Sequence, residues 1–251
     1  MVDSFSGKTP DKTLSSDLSG NEHVLRSVFQ HCSDIVFRVV PIKNNVNVLY
    51  VYVDGLCDTK ILDEIMSNCF ILSENEERLT FEKTIQKQLA AVAQIKFTMN
   101  VNELIAGILE ANVAILVDGE STGLLADLKG FEKRSIEEPS SETVIRGPRD
   151  GFTETLRVNT SLLRRRIRSP KLKIESFTIG EYSKTDVAVA YIDKIASEAV
   201  IEEVRKRVGS IKIDGVMETG YIEEFIEDLP FSPFPQIQNT ERPDLSFAEV
   251  Y

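Results

Sequence analysis

The sequence is poor in the residues that most metal and redox sites need. Its 251 residues include no tryptophan, two histidines and three cysteines. Cys32, Cys57 and Cys69 are odd in number and match no zinc-ligand spacing, so we expect buried reduced thiols rather than a disulfide. His23 and His31 lack a carboxylate at the spacing that would complete a two-histidine site, and we expect both at the surface. The sequence therefore predicts no metal and no cofactor.

Long apolar runs and the common catalytic motifs are also missing. The longest apolar runs, such as VAILV at 113–117, have the length of a strand, whereas roughly 20 apolar residues are needed to cross a bilayer. The polar start of the chain carries no secretory signal. No Walker motif, G-x-G-x-x-G or G-x-S-x-G is present, and no nucleophile–base pair stands out. We therefore expect this chain to be soluble and not an enzyme.

The charge balance excludes one class of partner. The net charge is -11 and the sequence pI is about 4.9. Because a nucleic-acid backbone is a polyanion, it would be repelled by such a surface. General nucleic-acid binding is therefore not expected.

One basic segment departs from this acidic background. Between Arg146 and Lys173 there are nine lysines or arginines and two acids, Asp150 and Glu154. This segment could bind phosphate, a single nucleic-acid strand or anionic lipid headgroups. Alternatively, it could pair with acidic stretches of the same chain or of another subunit, which we favour. The candidate subunit-contact residues are Arg164, Arg165, Arg166 and Arg168.

Apolar periodicity predicts an α/β fold in two halves. Runs with a period near 3.6 residues indicate helices, and short apolar runs bounded by turn residues indicate strands. In the first half we expect helices at 21–34, 59–68, 77–92 and 102–111, strands at 35–40, 46–55 and 93–99, and a hairpin at 112–128. In the second half we expect helices at 157–167, 197–208 and 220–229, strands at 172–180, 186–193 and 234–241, and the start of a helix at 242–250.

The two halves resemble each other at a constant shift. Ile35 aligns with Ile174 and Asp54 with Asp193, a shift of 139 positions in both pairs. At the same shift the helix-capping Asp58 falls on Ser197. The equal spacing suggests two similar α/β subdomains that arose by internal duplication. Chance similarity between two strand-then-helix units is the alternative.

Four segments follow from these patterns. We expect a disordered tail at 1–20, a first α/β subdomain at 21–137, a charged connector at 138–156 and a second α/β subdomain at 157–251. The second subdomain ends where the first continues into a hairpin. We therefore expect the chain to be part of a longer protein.

Acidic residues at strand ends are candidate ligand contacts. Asp54, Asp118 and Asp193 each lie at the carboxyl end of a predicted strand. They could bind a cation or a ligand amine if two of them faced one crevice, because ligands of open α/β sheets bind beyond strand ends. The alternative is that they only form turns, as Asp-Gly commonly does.

Four stretches of the chain resemble the A subunits of GerA-type spore germination receptors. They are EPSSETVIRGPRDGFTE at 138–154, RVNTSLLRRRIRSPKLK at 157–173, TGYIEEFIED at 219–228 and SPFPQIQNTERPD at 232–244. The resemblance runs from about residue 25 to residue 244. It implies a hydrophilic amino-terminal region of two α/β subdomains that precedes membrane spans. It also implies assembly with B and C subunits, and self-association of A subunits, into a nutrient-gated channel of the inner spore membrane.

The connector has a composition unlike that of a flexible linker. Glu142 and Glu154 flank Arg146 and Arg149 closely enough for ion pairs. Gly-Pro and Asp150-Gly are successive turn formers, and Phe152 is an apolar anchor among these charges. We expect a rigid connector that reports movement between the subdomains. A structural clasp without a role in ligand binding is the alternative.

Two functions are therefore open. The first is a non-enzymatic module that senses a small nutrient (an amino acid, a sugar or an ion) or relays its binding to a membrane gate. The candidate ligand-binding or relay residues are Glu142, Arg146, Arg149, Asp150, Glu154, Asp54 and Asp193. The second is an assembly module that docks other receptor subunits through the basic segment. We expect this region on the spore core side of the membrane.

Overall fold

The computed structural model describes residues 12–42, 46–72, 93–130, 150–229, 232, 234 and 236–246. The chain divides into two compact units. Unit 1 takes the described residues within 1–30, 34–132 and 168–170, and unit 2 those within 31–33, 133–167 and 171–251. Both units contain helices and strands, so the predicted mixture of helix and sheet is confirmed.

Unit 1 is built on a five-stranded antiparallel sheet with strand order β1-β2-β4-β5-β3. Every described residue of β4 and β5 is buried, because the apolar runs VAILV and GLLA have no polar face. The elements of unit 1 are α1 (Leu18–Val28), β1 (Ile35–Ile42), β2 (Val46–Val53), α2 (Thr59–Leu72), β3 (Ile95–Thr98), α3 (Val101–Leu109), β4 (Val113–Val117) and β5 (Gly123–Ala126).

Side-chain caps fix where the helices of unit 1 begin. Asp17 accepts hydrogen bonds from the backbone N–H groups of the first turn of α1, and Asn100 does the same for α3. Asp58 accepts from the backbone N–H of Lys60 at 3.0 Å and so caps α2, as the sequence predicts. Each cap satisfies donors that have no partner within the helix.

Residues 12–20 differ from the disordered tail that the sequence predicts. Leu14 is buried, and its backbone N–H donates to the carbonyl of Met99 at 2.8 Å. Leu18 is buried as well. The stretch is polar on average, but it contains two leucines that are buried in unit 1. The free energy gained by burying them outweighs the entropy lost when a few polar neighbours become ordered.

Unit 2 places helices on both faces of a two-stranded antiparallel hairpin. Alternate residues of the hairpin point to opposite faces. One face packs on Leu163 of α4, and the other packs on Val208 of α5 and Ile222 of α6. The elements of unit 2 are α4 (Leu156–Arg166), β6 (Leu172–Ile179), β7 (Thr185–Ile192), α5 (Glu198–Ser210) and α6 (Thr219–Ile226).

The short segment His31–Ser33 belongs to unit 2, because it pairs with β6. Cys32 forms a parallel bridge with Ile174. The Ile174 N–H donates to the His31 carbonyl at 2.9 Å, and the Ser33 N–H donates to the Ile174 carbonyl at 2.8 Å. The two units therefore differ from the predicted subdomains by two three-residue segments. Residues 31–33 belong to unit 2, and residues 168–170 belong to unit 1. The predicted boundary between 137 and 138 lies outside the described residues.

The strand–turn–helix segments that the sequence pairs at a shift of 139 have their elements at matching positions. β2 and β7 fall on each other at that shift, and α2 and α5 begin at equivalent positions. Gly55 and Lys194, also equivalent, both adopt left-handed backbone conformations with φ of 80° and 68°. The sheets themselves differ in strand number, and the internal duplication stays a prediction.

Two further predictions concern the chain after α6 and membrane spans. The strand predicted at 234–241 is wrong for the residues described there, which form bends and irregular loop. The Gln236 side chain instead bonds the Leu229 backbone, with Nε2 donating to the carbonyl at 2.7 Å. Within the described part of the chain, none of the helices has the length and hydropathy that a membrane span requires.

Candidate functional site

Four charged side chains of unit 2 form what we call the Arg–Asp cluster: Asp150, Arg166, Arg242 and Asp244. Arg166 Nη2 lies 3.4 Å from Asp150 Oδ2, and its Nη1 lies 3.7 Å from Asp244 Oδ1. Arg242 holds both oxygens of Asp244, with Nη2 to Oδ2 at 2.6 Å and Nε to Oδ1 at 3.2 Å. Asp244 therefore links the two arginines. These hydrogen bonds from Arg242 lower the pKa of Asp244 and keep it ionised.

Local packing brings the members of this cluster together. Phe152 packs against the core that contains Leu163, which confirms its prediction as an apolar anchor. Its backbone N–H donates to the carbonyl of Glu241 at 2.7 Å. The Asn159 side chain bonds both the N–H and the carbonyl of Thr153 at 2.7 Å, and so fixes the segment before α4 to that helix. The segments 150–153 and 241–244 are therefore joined through backbone as well as side chains.

The cluster unites three of the stretches on which the family resemblance depends. Asp150 comes from RDGFTE, Arg166 from the arginine run at the end of α4, and Arg242 and Asp244 from TERPD. Arginine in the last helical turn also interacts favourably with the negative end of the helix dipole. The pairing within the chain that the sequence analysis favours is thus present for Arg166.

The other arginines of the run have different surroundings. Arg164 has no exposed surface, and its Nη1 donates to the Leu172 carbonyl at 3.1 Å. It is therefore not available for the subunit contact that the sequence analysis predicts. An α-helix has 3.6 residues per turn, so consecutive arginines on it point in different directions around the helix axis. Arg165 and Arg168 are exposed.

The remaining predicted site residues are spread over the chain. Glu142, Arg146 and Arg149 lie outside the described residues. Glu154 is exposed just before α4. Asp54, Asp118 and Asp193 each lie in the turn that follows a strand. The Asp54 N–H also donates to the Asp34 carbonyl beside the start of β1, and the Asp193 N–H to the Lys171 carbonyl beside the start of β6, both at 2.8 Å.

The sheet of unit 1 is antiparallel, which separates two of the strand-end aspartates. β2 and β4 run in opposite directions, so their carboxyl ends lie at opposite edges of the sheet. Asp54 follows β2, whereas Asp118 follows β4 and bonds Asn47 at the start of β2. These two aspartates consequently do not face one crevice, and the parallel-sheet rule does not apply to them.

A second polar network lies on the α5 side of the hairpin and was not predicted. Glu175 accepts hydrogen bonds from the Tyr191 hydroxyl at 2.6 Å and from Arg205 Nε at 2.9 Å. Arg205 Nη2 also donates to the Tyr191 hydroxyl at 2.9 Å, and His31 Nδ1 lies 3.4 Å from Glu175 Oε1. Strand alternation places Glu175 and Tyr191 on one face, which is the signal that could have indicated the network.

The pKa values in this network follow from its geometry. Partial burial opposes ionisation of Glu175, but the hydrogen bonds from Arg205 and Tyr191 outweigh it and lower the pKa of that carboxyl. Burial and the bond to Glu175 raise the pKa of Tyr191, so its hydroxyl remains a donor. The network holds α5 against β6 and β7 through charge-assisted hydrogen bonds.

Unit 1 contains a cavity of about 360 Å³ between α3 and the β3–β5 edge of the sheet. Its walls carry charges of both signs. The cations are Lys96 and Lys129, and the acids include Glu103, Glu110 and Asp127. A cavity of this size can admit a small molecule.

The cysteines and histidines give no metal site in the part of the chain that the structure describes, where no group of three ligating side chains is close enough to hold an ion. Cys32 and Cys57 are buried free thiols, which confirms that expectation for these two. Burial raises the pKa of Cys57 to about 12, so its thiol is protonated and unreactive at neutral pH.

Comparison with known proteins identifies the family. The model of the Bacillus/Clostridium GerA spore germination protein family matches residues 23–251. The chain belongs to this family. The resemblance drawn from the four sequence stretches, which include all members of the Arg–Asp cluster, is thereby confirmed.

Individual relatives show how much of such a protein this chain covers. It is 42% identical over 240 residues to the uncharacterized membrane protein YfkQ of Bacillus subtilis, covering 96% of this chain and 47% of that protein. It is 33% identical over 234 residues to spore germination protein KA of the same organism, covering 92% and 43%. The chain therefore spans less than half the length of these relatives.

A solved structure supports the same placement. The crystal structure of the N-terminal domain of the A subunit of the Bacillus megaterium spore germinant receptor GerK3 matches with a TM-score of 0.71 and 30% sequence identity. The match covers 95% of this chain and 89% of that domain. The chain thus has the fold of a germinant receptor A subunit N-terminal domain.

Proposed function

We propose that this chain is the amino-terminal relay domain of a germinant receptor A subunit, which passes the effect of nutrient binding to a membrane channel during spore germination. The observation that carries the proposal is the Arg–Asp cluster, in which Arg166 of α4 contacts Asp150 and Asp244 from two separate segments. In this proposal the domain is not an enzyme, works with B and C subunits, and faces the spore core.

The cluster suits a relay because a small number of ion pairs joins three segments of unit 2. These ion pairs can hold the segments together and can also be broken one at a time. Arg166 and Asp244 retain 24% and 25% exposure of their side chains. Partly exposed ion pairs contribute modestly to stability, typically up to about 1 kcal/mol. Breaking one pair can therefore alter the position of a segment without unfolding unit 2.

The connector residues Arg146 and Arg149, with Glu142 and Glu154, extend this proposal. They precede α4 in the same charged stretch that supplies Asp150. We infer that they act with the Arg–Asp cluster in coupling, and that Asp54 and Asp193 contribute only if a ligand reaches their turns. Arg146→Ala and Arg149→Ala are expected to reduce germination response more than folding.

The test uses spores that carry the full-length protein with Arg166→Ala or Asp244→Asn. We expect a loss of germination response with normal amounts of receptor in the membrane fraction. Lys212→Ala, which removes an exposed cation of unit 2 outside both the cluster and the arginine run, is the control and is expected to respond as the unchanged protein does. Normal response from both cluster variants would remove the Arg–Asp cluster from the relay.

A second function, subunit assembly, is favoured by the exposed arginines. Arg165 and Arg168 project from the end of α4 and the turn after it in a strongly acidic chain. Exposed arginine is well suited to bidentate pairing with a carboxylate of a B or C subunit or of a second A subunit.

Charge reversal separates assembly from relay. Arg165→Glu with Arg168→Glu is expected to abolish co-purification with the other subunits, whereas Lys206→Glu, an exposed cation on α5, is expected to leave it intact. Unchanged co-purification of the double variant would refute the assembly role.

A further inference from the structure

The outer face of α6 carries apolar side chains that unit 2 leaves uncovered. Ile222 and Ile226 of this helix pack into the hydrophobic cluster beneath it. Tyr221 and Phe225 lie four residues apart, so they share a neighbouring face of the helix, and both are exposed. We call this pair the α6 stripe. The helix therefore has apolar side chains on two sides, and the described part of unit 2 covers the inner side.

Residues on either side of α6 in the chain continue the apolar character of the α6 stripe. Met217 precedes the helix and Leu229 follows it, and both are exposed, as is Phe234 in the loop beyond. Of the eleven large apolar side chains that are exposed in the described chain, five thus fall between residues 217 and 234. Single exposed apolar residues are ordinary, whereas a concentration of them marks an interaction surface.

Contacts with α5 and the hairpin hold α6 in place. Arg207 of α5 donates from Nη1 to the carbonyl of Ile226 at 2.6 Å. Its Nη2 lies 2.6 Å from Oδ1 of Asp228, just after the helix. These bonds fasten the carboxyl end of α6 to α5, while Ile222 and Ile226 fasten its inner face. The α6 stripe is therefore ordered before any partner docks, which limits the conformational entropy lost on binding.

Acidic side chains border the α6 stripe. Glu224 lies three residues after Tyr221 and therefore beside it on the helix. Glu218 occupies the N-cap position, but its side chain makes no capping hydrogen bond. Both glutamates are exposed, and over the residues that the structure describes neither takes part in an ion pair. By contrast, the charge of Asp228 is balanced by Arg207. The two glutamates thus place uncompensated negative charge beside apolar surface.

This combination of charge and apolar surface selects among the possible occupants. An anionic bilayer surface would repel the glutamates. A second copy of the chain that presented the same face would bring the same carboxylates, in a molecule whose net charge is -11. A ridge of side chains at i and i+4 packs well against another helix. The occupant that fits is therefore a helix with an apolar face and with lysines or arginines beside that face.

We propose that the outer face of α6 docks a basic amphipathic helix of another polypeptide. The apolar side chains of that helix pack on Tyr221 and Phe225, and its cations pair with Glu218 and Glu224. The Tyr221 ring also offers its face to a cation. A partner of this charge is the opposite of the acidic partner that exposed arginines of α4 would bind. The inference stands independently of the proposed relay and assembly roles.

The experiment measures the binding of three fluorescently labelled peptides of about 18 residues to the 251-residue chain by anisotropy. The first peptide consists of leucine and lysine, with the leucines on one helix face. The second replaces every lysine with glutamate, and the third contains the residues of the first in an order that gives no apolar face. At about 0.15 M salt we expect the first peptide to bind saturably and about tenfold or more tightly than the other two. Equal affinity for either of the other two peptides would overturn the inference.

Apolar variants test whether the first peptide binds at the α6 stripe. Tyr221→Ser combined with Phe225→Ser is expected to weaken its binding about tenfold or more, because both anchors are lost. Tyr182→Ser combined with Val200→Ser is the matched control, since it removes an exposed tyrosine and an exposed apolar side chain elsewhere in unit 2. We expect this control to bind as the unchanged chain does. Equal affinities of the two double variants would exclude the α6 stripe as the site.

Charge variants test the role of the two glutamates. Glu218→Gln combined with Glu224→Gln is expected to weaken binding several-fold and to make the affinity less dependent on salt. Glu64→Gln combined with Glu181→Gln removes two exposed carboxylates from other parts of the chain and is the matched control for net charge. If both double variants lose the same affinity, the attraction comes from net charge alone and the proposed pairing is wrong.

Two further measurements distinguish the other possible occupants. The unchanged chain is expected not to bind vesicles of phosphatidylglycerol in flotation. It is also expected to show no self-association that the Tyr221→Ser and Phe225→Ser double variant abolishes in sedimentation velocity. Vesicle binding that this double variant abolishes would assign the α6 stripe to a lipid surface, and self-association that it abolishes would assign the stripe to a second copy. Either result would overturn the proposal.

Discussion

Arg164 donates a hydrogen bond from Nη1 to the Leu172 carbonyl at 3.1 Å, and no part of the Arg164 residue is exposed to solvent. An arginine buried in this way costs desolvation energy that only satisfied hydrogen bonds can offset. The arginine run of α4 therefore contains a residue that holds the helix to the start of β6. The next residue, Arg165, is exposed, and Arg166 is partly buried in the Arg–Asp cluster.

This relationship predicts a large difference between adjacent arginines. Arg164→Ala removes a buried donor and its packing, so we expect it to lower the free energy of unfolding by about 3 kcal/mol. Arg165→Ala at the exposed next position is expected to change it by less than about 0.5 kcal/mol. Urea denaturation of the two variants measures the difference, and equal stabilities would contradict the structural role of Arg164.

The hydroxyl of Tyr191 offers a second test. Tyr191→Phe leaves the ring in place but removes the donor to Glu175, so we expect a loss of about 1 kcal/mol in unfolding free energy. Tyr182 is 79% exposed, and Tyr182→Phe is a control that should leave stability unchanged. Thermal unfolding of both variants measures the effect. A Tyr191→Phe variant as stable as the unchanged chain would mean that the hydrogen bonds from Arg205 alone are enough to satisfy the Glu175 carboxylate.

Lowered carboxyl pKa values predict a dependence of stability on acid. The pKa of Glu175 in the folded chain lies below its ordinary value of 4.5. Its ionisation therefore stabilises the fold above that value, and the stabilisation is lost as the pH falls through the lowered folded pKa. Urea unfolding at pH values from 7 down to 3 should show this loss. Glu175→Gln should be less stable at pH 7 and depend less on pH, and an unaltered pH profile would contradict the assignment.

Two helical glycines predict opposite effects of the same substitution. Gly107→Ala places a methyl group against Leu125, so we expect destabilisation of about 1–3 kcal/mol although alanine favours helix. Gly209 in α5 has no atom within 4 Å of a built Cβ, and Gly209→Ala should stabilise the chain by about 0.5–1 kcal/mol. Differential scanning calorimetry of the pair gives the sign of each change, and stabilisation by Gly107→Ala would contradict the close helix–strand contact.

Local patterns predicted the secondary structure well and long-range contacts poorly. The strand β2 and the cap at Asp58 follow from alternation and from one residue at a helix start, so neighbours in the sequence suffice. The burial of Arg164 could not be predicted, because counting charges does not reveal which of four nearby arginines faces the core. The Glu175–Arg205 pair joins residues thirty positions apart, and no local pattern identifies such a partner.

The wrong predictions have the same origin. The composition of residues 1–20 predicts a disordered tail because it averages out two buried leucines, Leu14 and Leu18. The sequence predicts a strand at 234–241, but the Gln236 side chain bonds both the N–H and the carbonyl of Leu229, and this long-range contact holds the described residues there in a loop. In the Arg–Asp cluster, the charge of the segments was predicted, whereas the meeting of Asp150 with Arg166 and Asp244 depends on tertiary packing.

Helices on both sides of the β6–β7 hairpin divide the apolar side chains of unit 2, over the residues that the structure describes, into two small hydrophobic clusters. No side chain of the hairpin belongs to both, because successive residues alternate between its sides. Loosening the α5–α6 layer would thus leave the α4 layer, and with it Arg166, its own apolar support. Unit 2 can in this way release one layer on its own, since cooperative units of a protein open at different free energies.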